Sequence, residues 1–389
     1  MPRTSALTDA LVSQVTPEHR AAFHGPLARW FEAHRRPMPW REPGPDGRRD
    51  PYRVWVSEVM LQQTRVDTAL PYFLRFTEAF PTPEALAAAP LDSVLKRWEG
   101  LGYYSRARNL HRAAQEVVRD HDGIFPTDYA ALLTLPGVGP YSAAAVASFA
   151  SNEDVAVVDG NVYRVLARIF GVSEPIDTPA GQRVFRGLAD ELLPRGRAGA
   201  YNQAIMDFGA TVCTPKRPRC PSCPLRDSCS ALSQNRVDVL PRKAGTVKRR
   251  TRYFDYLRIA DARGRLWVRR RGGGDIWQGL YDLPLVEGAT GFAERPQLEE
   301  RLRQAGIADV ELLGRSQPRK HVLSHQELRA RFWSFALRQN RGDAPDLSAL
   351  ADGAGKWVRA DELLGMGIPQ LLHRYLTEPN GTFDFGGAA

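Results

Sequence analysis

The chain has 389 residues, with 53 lysines and arginines against 44 acidic residues and a formal net charge of +9 at pH 7. This length allows two domains with cores of their own, and the positive charge favours a polyanionic partner. No apolar run reaches membrane-spanning length and Met1 to Arg20 lacks the apolar core of a signal peptide, so we expect a cytoplasmic protein.

The first predicted element is a short amphipathic helix over Leu27 to His34, because apolar residues recur there at helical spacing. The preceding residues show no firm periodicity, and we expect positions 1–22 to be flexible. The helix ends at Arg35 to Arg41, where two prolines force an extended turn that carries arginines and a tryptophan. Such a turn suits contact with phosphate, although a solvated basic loop fits the pattern equally well.

An acidic residue among apolar ones marks the next predicted helix, Pro51 to Thr64. Glu58 is flanked by valines, a methionine and a leucine, which remove water from a carboxyl group, so its pKa should rise towards neutrality. Glu58 is therefore a candidate general acid. The alternative is that its side chain reaches solvent or pairs with an arginine. Gln62 and Gln63, which follow, carry amide groups suited to reading the edge of a base.

Residues Glu84 to Arg119 are predicted to be helical except at one interruption. This interruption, Trp98 to Asn109, contains two glycines, two tyrosines and two arginines. A glycine turn that carries aromatic and cationic side chains can insert a ring into a stack of bases while fixing the backbone. Tyr103 is the candidate for that role. Paired tyrosines are more often part of a core, and this alternative stays open.

The stretch from Leu135 to Asp159 contains a glycine turn, an alanine-rich helix from Tyr141 to Ala150 and a second acidic candidate. Gly137 and Gly139 lie between two helical patterns, so backbone amides at the start of the second helix can bind an anion without obstruction. Small residues allow that helix to pack closely against a neighbour. A carboxylate beside a phosphate-binding turn is unfavourable for simple binding, which makes Asp159 a candidate for chemistry. Taken alone, such a turn is more often an ordinary connection between helices.

The four cysteines of the chain fall in one short segment after predicted helices at 162–170 and 201–208, with six, two and five residues between them. They are Cys213, Cys220, Cys223 and Cys229. Clustered cysteines in a large cytoplasmic protein indicate a four-thiolate metal site, and the spacing allows zinc as well as a [4Fe–4S] cluster. Lys216, Arg217 and Arg219 stand between the first two cysteines, so the metal site would present a basic loop to phosphate.

The glycine turn, the Val-Asp-Gly-Asn segment that ends at Asn161 and the cysteine spacing together resemble the helix-hairpin-helix DNA glycosylases of the endonuclease III superfamily. Two longer motifs, around Glu58 and around Tyr103, resemble the MutY adenine glycosylase branch, which removes adenine mispaired with 8-oxoguanine. The resemblance implies a mostly helical, two-lobed domain at 23–230 that binds DNA in the groove between its lobes. It also implies a [4Fe–4S] cluster rather than zinc in the loop 213–229.

The resemblance also assigns roles within the site. Glu58 would protonate the departing adenine, and Asp159 would stay ionised and stabilise, or transiently bond to, the positively charged sugar. Bifunctional relatives carry a lysine two residues after the second hairpin glycine, where this chain has Tyr141, and a phenol cannot form a Schiff base. A monofunctional adenine glycosylase is therefore expected, with an endonuclease III-like glycosylase and lyase for oxidised pyrimidines as the alternative. The other assigned positions are Arg41, Tyr141 and Asn161 in the base pocket, Gln63 and Tyr103 as wedge and gap-filling residues, and Gln62, Gly137, Gly139, Lys216 and Arg217 at the DNA.

The second half of the sequence indicates a linker followed by a domain of mixed structure. Positions 231–250 are polar and cationic, which is typical of a linker. Alternating segments separated by Asp-Ala-Arg-Gly then predict a β-hairpin, followed by a helix and further strands. The predicted elements are strands at 253–260 and 266–271, a helix at 297–305, and strands at 310–313, 321–328 and 331–337. We therefore expect an α+β domain at 251–378 and a disordered tail at 379–389.

The α+β segment resembles the Nudix fold, whose hydrolases hold magnesium on an acidic helix. Arg303 and Gln304 stand where the metal carboxylates would be, so this domain should bind rather than hydrolyse. By resemblance to the C-terminal domain of the MutY branch, Ser324 would bond to 8-oxoguanine and His325 would contact the base or a phosphate. Leu323 replaces an aromatic residue, which predicts altered stacking. The expected partner is double-stranded DNA with an A:8-oxoguanine or A:G mispair, bound at the nucleoid by a monomer and without a membrane.

Overall fold

A computed structural model describes residues 15–45, 47–245, 249–307, 309–338, 344–350, 354–378 and 383–384. The chain divides into two compact units, Met1–Ala87 with Arg112–Thr246 and Ala88–His111 with Val247–Ala389. The first unit is helical and the second contains a sheet, which confirms the predicted order of an all-α domain followed by an α+β domain. Within the described ranges, no helix is both long and apolar enough to cross a membrane.

One helical segment joins a different unit from the one that the sequence indicates. Ala88–His111 lies inside the helical domain predicted at 23–230, but it belongs to the second compact unit. Polar contacts join this segment to residues far along the chain. Arg270 Nη2 donates a hydrogen bond of 2.6 Å to Asp92, and Arg108 Nη1 donates one of 2.7 Å to the backbone oxygen of Gln278.

Twelve helices lie between residues 15 and 245 of the described chain, and those predicted around the candidate residues are present with small shifts of their ends. They are α1 (Pro17–His34), α2 (Pro51–Leu61), α3 (Val66–Ala79), α4 (Pro83–Ala88), α5 (Leu91–Arg97), α6 (Ser105–Asp120), α7 (Tyr129–Leu132), α8 (Pro140–Ser151), α9 (Gly160–Ile169), α10 (Pro179–Glu191), α11 (Ala198–Thr211) and α12 (Ser230–Ser233). The glycine turn leads directly into α8, and the cysteines follow α11.

The first helix begins ten residues earlier than the sequence pattern predicts, at Pro17. Thr16 caps it, since its hydroxyl accepts a hydrogen bond of 3.3 Å from the backbone N–H of His19. Phe23 and Leu27 are both buried, one turn apart, so the apolar face extends back beyond the predicted start. The prediction that positions 1–22 are flexible is therefore wrong for 17–22, which are helical. Positions 1–14 lie outside the described residues.

The alanine-rich helix α8 packs closely against α11, as its small residues predict. A Cβ added to Gly199 of α11 would lie 2.3 Å from the backbone oxygen of Ser148 in α8, which is too close for any side chain. Asn202 of α11 also donates a hydrogen bond of 2.9 Å to the hydroxyl of Ser148. The close approach fixes α8, and with it the glycine turn, against the core of the first unit.

The segment predicted as a linker at 231–250 packs against the first unit over much of its length. Leu240 is buried, and Arg168 of α9 donates hydrogen bonds of 3.0 and 3.1 Å to the backbone oxygens of Val237 and Leu240. Further on, Asp177 accepts a hydrogen bond of 2.7 Å from the backbone of Ala244. Residues 231–245 are thus not a solvated tether, because partners elsewhere in the first unit bond to their backbone.

The second unit is a mixed sheet with helices on both faces. Its elements beyond residue 249 are β1 (Arg250–Ala260), β2 (Leu266–Arg270), β3 (Tyr281–Asp282), β4 (Leu285–Gly288), α13 (Arg295–Gln304), β5 (Val310–Ser316), β6 (Arg319–Val322), β7 (Gln326–Leu337), β8 (Gly355–Val358), α14 (Ala360–Gly365), α15 (Gln370–Thr377) and β9 (Phe383–Asp384). The main strand order is β3-β2-β1-β7-β5-β9, with β1 and β7 parallel over eleven paired residues. Phe254 and Tyr256 face a core that includes α15, whereas Leu257 and Ile259 face one that includes α13.

The predicted β1–β2 hairpin is confirmed. The prediction of one strand at 321–328 is wrong, because a turn divides this range between two strands. β6 ends at Val322 and β7 begins at Gln326, and the backbone N–H of Leu323 donates to the backbone oxygen of Gln326 at 2.8 Å. The turn lacks glycine and proline, so the sequence alternation that predicts a strand is not interrupted there. The sequence pattern does not predict β3, β4, β8, α14 and α15. Of the tail at 379–389, only 383–384 are described, as the short strand β9 paired with β5; the rest lies outside the described residues.

Candidate active site

A buried carboxyl group lies near the end of α2. Glu58 is only 3 % exposed, and the phenol of Tyr141 in α8 donates a hydrogen bond of 2.6 Å to its Oε2. Burial raises the pKa of Glu58 to about 7, against the opposing effects of the Tyr141 hydrogen bond and the positive charge of Arg41. Nearby Asp159 raises this pKa further. A carboxyl group in this setting can hold a proton near neutral pH and release it to a substrate.

The second carboxyl group, Asp159, caps the N-terminus of α9. One of its oxygens accepts hydrogen bonds of 2.9 and 2.7 Å from the backbone N–H groups of Asn161 and Val162, and the other accepts one of 2.7 Å from the side chain of Asn161. Burial raises the pKa of Asp159, but these three donors and the helix terminus favour its charged form. The two carboxyl groups therefore have different surroundings, one with a single phenol donor and one with three N–H donors.

Asp207 in α11 is a third buried acidic residue, and the sequence reasoning missed it. Its oxygens accept hydrogen bonds of 2.7 and 3.0 Å from the guanidinium group of Arg41 and one of 2.5 Å from Arg36. Burial alone would raise the pKa of Asp207, but the two arginines outweigh it and lower the pKa below its ordinary value. Asp207 thus holds Arg41 in place beside Glu58. The signal that identified Glu58, an acid within an apolar helical segment, also exists at Asp207.

Asn161 is held in one position by the surrounding helices. Its side-chain oxygen accepts a hydrogen bond of 2.8 Å from Arg164, which also bonds to the backbone oxygens of Gly209 and Cys213 at 2.5 and 2.6 Å. A Cβ added to Gly209 would lie 2.7 Å from the Cβ of Asn161. Close packing and the arginine therefore fix the start of α9, where Asp159 lies.

The glycine turn before α8 has the geometry expected of a backbone anion site. Gly137 has φ +75°, a conformation that side chains disfavour, and Gly139 precedes the first residue of α8. Among the described residues, no side chain caps this helix, and a Cβ at Gly139 would meet nothing within 4 Å. The N-terminus of α8 is thus unobstructed at Gly139, and its first residue, Pro140, has no N–H group.

The two glutamines after α2 have different surroundings. Gln62 donates a hydrogen bond of 3.1 Å from its side chain to the hydroxyl of Ser142, so it packs against α8. Gln63 is exposed and has φ +59°. A non-glycine residue in this conformation is uncommon and often marks a functional position. Of the two side chains, that of Gln63 is therefore the more accessible to a macromolecule such as DNA.

A large cavity lies beside Arg41 in the first unit. It has a volume of about 1380 Å³, and Arg36, Arg49, Phe125 and Gln203 also line it. Gln203 in α11 is 2 % exposed and donates its side-chain N–H to the backbone oxygen of Gly199 at 2.9 Å. Its side-chain oxygen has no hydrogen-bond partner among the described residues. The sequence reasoning did not identify Gln203.

The four cysteines surround one small cavity of about 20 Å³. Arg168 contributes to its wall and donates a contact of 3.4 Å to the Sγ of Cys213. In the described part of the chain, no group of three or more histidine, cysteine or acidic side chains is arranged as a site for a single metal ion. Lys216, Arg217 and Arg219 are exposed on the loop between the first two cysteines.

The remaining candidate residues lie in the second unit. Tyr103 is 40 % exposed with φ +48°, whereas its neighbour Tyr104 is buried, so one of the paired tyrosines is core and the other is not. Ser324 and His325 are exposed at the turn between β6 and β7, with 3.1 Å between Ser324 Oγ and His325 Nδ1. We call this turn, Leu323–Gln326, the recognition hairpin, and Trp98–Tyr104 the glycine loop.

Comparison with known families agrees with this arrangement. Residues 56–185 match the model of the HhH-GPD superfamily of base excision DNA repair proteins, and residues 256–378 match a NUDIX domain. The helical unit, the glycine turn before α8 and the buried carboxyl pair thus define a helix-hairpin-helix base-excision DNA glycosylase. An adenine DNA glycosylase of Buchnera aphidicola subsp. Baizongia pistaciae is 32 % identical over 265 residues, which is 67 % of this chain and 73 % of that protein. The chain belongs to the adenine DNA glycosylase family.

Two further comparisons show how much of other proteins the similarity covers. The human adenine DNA glycosylase is 45 % identical over 215 residues, which is 54 % of this chain but only 39 % of the human protein. The Mycolicibacterium smegmatis enzyme of the same name is 41 % identical over 228 residues, or 59 % of this chain and 73 % of that protein. Among solved structures, a thermostable thymine-DNA glycosylase has a TM-score of 0.52 and 30 % identity, covering 57 % of this chain and 100 % of that one.

Proposed function

We propose that this chain is a monofunctional adenine DNA glycosylase. It hydrolyses the N-glycosidic bond of adenine mispaired with 8-oxoguanine or guanine in double-stranded DNA, acts as a monomer and leaves an abasic site. The observation that carries the proposal is the pair of buried carboxyl groups. Glu58 has a pKa raised to about 7, and Asp159 accepts three N–H hydrogen bonds. Cleavage of this bond needs one carboxyl group of each protonation state.

The reaction divides between these two residues. Glu58 donates its proton to a ring nitrogen of adenine, so the base leaves without the full negative charge that would otherwise develop. Asp159 stays ionised and stabilises the positive charge that develops on the sugar, and water completes the hydrolysis. Tyr141 holds the Glu58 carboxyl group in position through its hydrogen bond of 2.6 Å. Asn161 orients Asp159 from the other side.

The extruded base would lie against Glu58, with Arg41 held beside this carboxyl group by Asp207.

Tyr141 explains why strand cleavage is not expected. Lyase activity requires an amine that forms a Schiff base with the sugar, and the phenol at this position cannot do so. Instead, its hydroxyl bonds to the catalytic acid. The hydrogen bond lowers the pKa of Glu58 from the value that burial alone would set.

Tyr141→Phe is expected to extend the activity of the enzyme to higher pH. Without the phenol donor, the ionised form of Glu58 loses a partner and the pKa of Glu58 rises. Loss of one positioning hydrogen bond should lower the rate at pH 6 by about tenfold. Single-turnover rates between pH 5 and pH 9 measure both effects. Unchanged pH dependence in the variant would remove Tyr141 from the control of Glu58.

The cysteine loop fits a [4Fe–4S] cluster. The donor set is four thiols around one cavity, and thiolates are the ligands of such clusters. Cys213, Cys220, Cys223 and Cys229 would hold it. The cluster would supply cross-links that keep the exposed cations Lys216 and Arg217 in one conformation for contact with DNA phosphate.

Replacing Cys223 by serine is expected to remove the bound iron and the visible absorption of the purified protein. DNA affinity should fall at least about tenfold, because the basic loop loses its fixed shape. Iron and sulfide analysis with a DNA-binding titration tests this. Ser222→Ala, one residue away on the same exposed turn, is the matched control and should keep both properties. A wild-type protein that carries zinc and no iron would contradict the cluster assignment.

The recognition hairpin would contact the base opposite adenine. Ser324 and His325 are exposed at its tip and offer a hydroxyl and an imidazole within hydrogen-bond distance of each other. The helix α13 stands where a Nudix hydrolase has its acidic, metal-binding helix, and its charges differ. In α13, Arg303 pairs with Glu300 at 2.9 Å, which places a cation beside an acid where a metal would need carboxylates. A binding role for this domain follows.

Replacing Ser324 and His325 together by alanine is expected to reduce the preference for adenine opposite 8-oxoguanine over adenine opposite guanine by about tenfold or more, since each polar contact to a base contributes about 1–3 kcal/mol. The rate opposite guanine should change little. Single-turnover excision rates on the two duplexes give the ratio. A variant with the wild-type ratio would show that this hairpin does not read the lesion.

The proposed substrate is tested by direct analysis of the released base. Duplexes that carry adenine opposite 8-oxoguanine, guanine or thymine, and one that carries an oxidised pyrimidine, are incubated with the enzyme and the free bases are separated by chromatography. Free adenine from the first two duplexes only is the expected result. Release of the oxidised pyrimidine instead would favour an endonuclease III-like specificity.

A further inference from the structure

The exposed Tyr103 sits on a loop that is braced from within. Trp98 Nε1 donates a hydrogen bond of 3.1 Å to the backbone oxygen of Gly102, and Arg106 donates one of 3.0 Å to that of Leu101. The guanidinium group of Arg106 also lies 5.2 Å from the Trp98 ring and 5.7 Å from the Tyr103 ring. These contacts keep Tyr103 in its uncommon backbone conformation, with the ring exposed.

The two helices that flank the glycine loop are hydrogen-bonded to other elements of the second unit: the helix α14, the strand β2 and the loop that contains Gln278. Before the loop, Lys96 of α5 donates a hydrogen bond of 2.5 Å to the backbone oxygen of Leu364, and Asp92 accepts one of 2.6 Å from an arginine of β2. After the loop, Arg108 of α6 donates one of 2.7 Å to the backbone oxygen of Gln278. The glycine loop is therefore flanked on both sides by helices that are hydrogen-bonded to later segments of the second unit.

The segment that contains Gln278, which we call the bridging loop (Arg271–Leu280), is itself bonded to the recognition hairpin. Asp275 of the bridging loop accepts hydrogen bonds of 2.6 and 2.8 Å from Arg252 and one of 2.9 Å from Arg271. Arg252 also donates one of 3.2 Å to the side-chain oxygen of Gln326, the last residue of the recognition hairpin. Polar contacts thus join the hairpin through Arg252 to Asp275, the backbone of the bridging loop leads from Asp275 to Gln278, and Gln278 is bonded to α6.

The network contains buried charged side chains that depend on one another. Arg252 and Arg271 are both buried, and Arg252 additionally bonds to Glu287 at 2.6 Å. A buried charge is stable only with its partners in place, so a displacement at one contact disturbs the next. Such coupling allows an event at the hairpin to change the position of the glycine loop.

We propose that Arg108 and Gln326 are the two ends of a polar network that couples the recognition hairpin to Tyr103. An 8-oxoguanine bound at the hairpin favours the arrangement in which Tyr103 inserts into the base stack; a guanine at the same place does not. The network residues are positioning residues for specificity and do not touch the reacting atoms. This inference rests on the proposed function, since it concerns discrimination by that same enzyme.

A double-mutant cycle between Arg108→Ala and Gln326→Ala tests the coupling. Each change alone is expected to lower the ratio of single-turnover rates opposite 8-oxoguanine and guanine by about fivefold or more, with the rate opposite guanine within about twofold of wild type. In the double variant this ratio should be no lower than in the more strongly affected of the two single variants. Residues that share no partner normally have additive effects, so this non-additivity is specific to a network.

Arg112→Ala is the matched control for Arg108→Ala. It lies one turn further along α6, is exposed and should leave the ratio unchanged. A fluorescent base analogue next to the lesion provides a second readout, because unstacking by Tyr103 raises its fluorescence. The rise should persist in Arg112→Ala and be lost in Arg108→Ala.

The outcomes separate this inference from the proposed function. A wild-type enzyme that releases no adenine from either duplex contradicts the proposed function. An active wild type whose Arg108→Ala variant matches Arg112→Ala in ratio and fluorescence overturns the network alone. Additive effects of Arg108→Ala and Gln326→Ala would show that the two residues act independently, which also overturns it.

Discussion

Replacing Glu58 by glutamine is expected to lower the single-turnover rate of adenine excision by about 10³-fold. The side chain is 3 % exposed and burial raises its pKa to about 7, whereas the neighbouring Asp159 accepts three N–H hydrogen bonds. Glutamine keeps the shape and can still accept the Tyr141 hydrogen bond, but it has no proton to give. Affinity for the mispaired duplex should stay within about threefold of wild type, because no phosphate contact is lost.

The pH dependence of the wild-type enzyme gives a second check on this residue. Glu58 must be protonated to act as an acid, and its pKa is about 7. The rate should therefore be highest below pH 7 and fall as the pH rises through that value. A rate that stays constant from pH 6 to pH 9 would remove Glu58 from the step that limits excision.

The stability of Glu58→Gln shows whether any loss of activity is due to misfolding. The pKa of Glu58 is 4.5 in an unfolded chain and about 7 in the folded one, so the stabilising effect of the raised pKa is complete below pH 4.5 and lost as the pH rises to 7. At pH 8 the variant should be more stable than wild type by up to roughly 3 kcal/mol. Glu78→Gln, an exposed position on α3, is the control and should change neither property.

Asp159→Asn is expected to lower the rate of excision by about 10²- to 10³-fold, since it removes the negative charge that stabilises the sugar. Asparagine caps helices as well as aspartate does, so the bonds to the N–H groups of Asn161 and Val162 can be kept. The fold should be unaffected. Like Glu58→Gln, this variant should not regain activity at any pH, because the lost charge is needed throughout.

Asp128→Asn provides the matched control for Asp159→Asn. Asp128 also caps a helix, α7, where it accepts a hydrogen bond of 2.8 Å from the backbone of Ala131, but it is exposed. The same substitution there should leave the rate unchanged. Near-wild-type excision by Asp159→Asn would mean that a neutral oxygen is sufficient at this position, and the proposed charge stabilisation would be wrong.

The sequence predicted the helices of the site well because their signals are local. The glycines and proline before α8, the apolar neighbours of Glu58 and the close cysteine spacing each lie within one short segment. The start of α1 was missed because the predicted pattern began at Leu27, although Phe23 lies on the same face. The turn at Leu323–Gln326 was read as a strand because it lacks glycine and proline.

Contacts between distant segments could not be predicted. Asp207 pairs with Arg41 across 166 residues, and neither position alone indicates its partner. Gln203 looks like any polar residue of a helix until the fold buries it beside a cavity. The attachment of Ala88–His111 to the second unit depends on side chains such as Arg108 and Gln278, which are 170 residues apart.

A strand-cleavage assay on a duplex with one adenine opposite 8-oxoguanine tests both adenine excision and the absence of lyase activity. Each sample is divided after incubation with the enzyme, and one half is treated with hot alkali. We predict breaks at the adenine only in the alkali-treated half, since base excision without lyase chemistry leaves an intact strand with an abasic site. Breaks without alkali would contradict the monofunctional assignment, and intact DNA in both halves would contradict adenine excision itself.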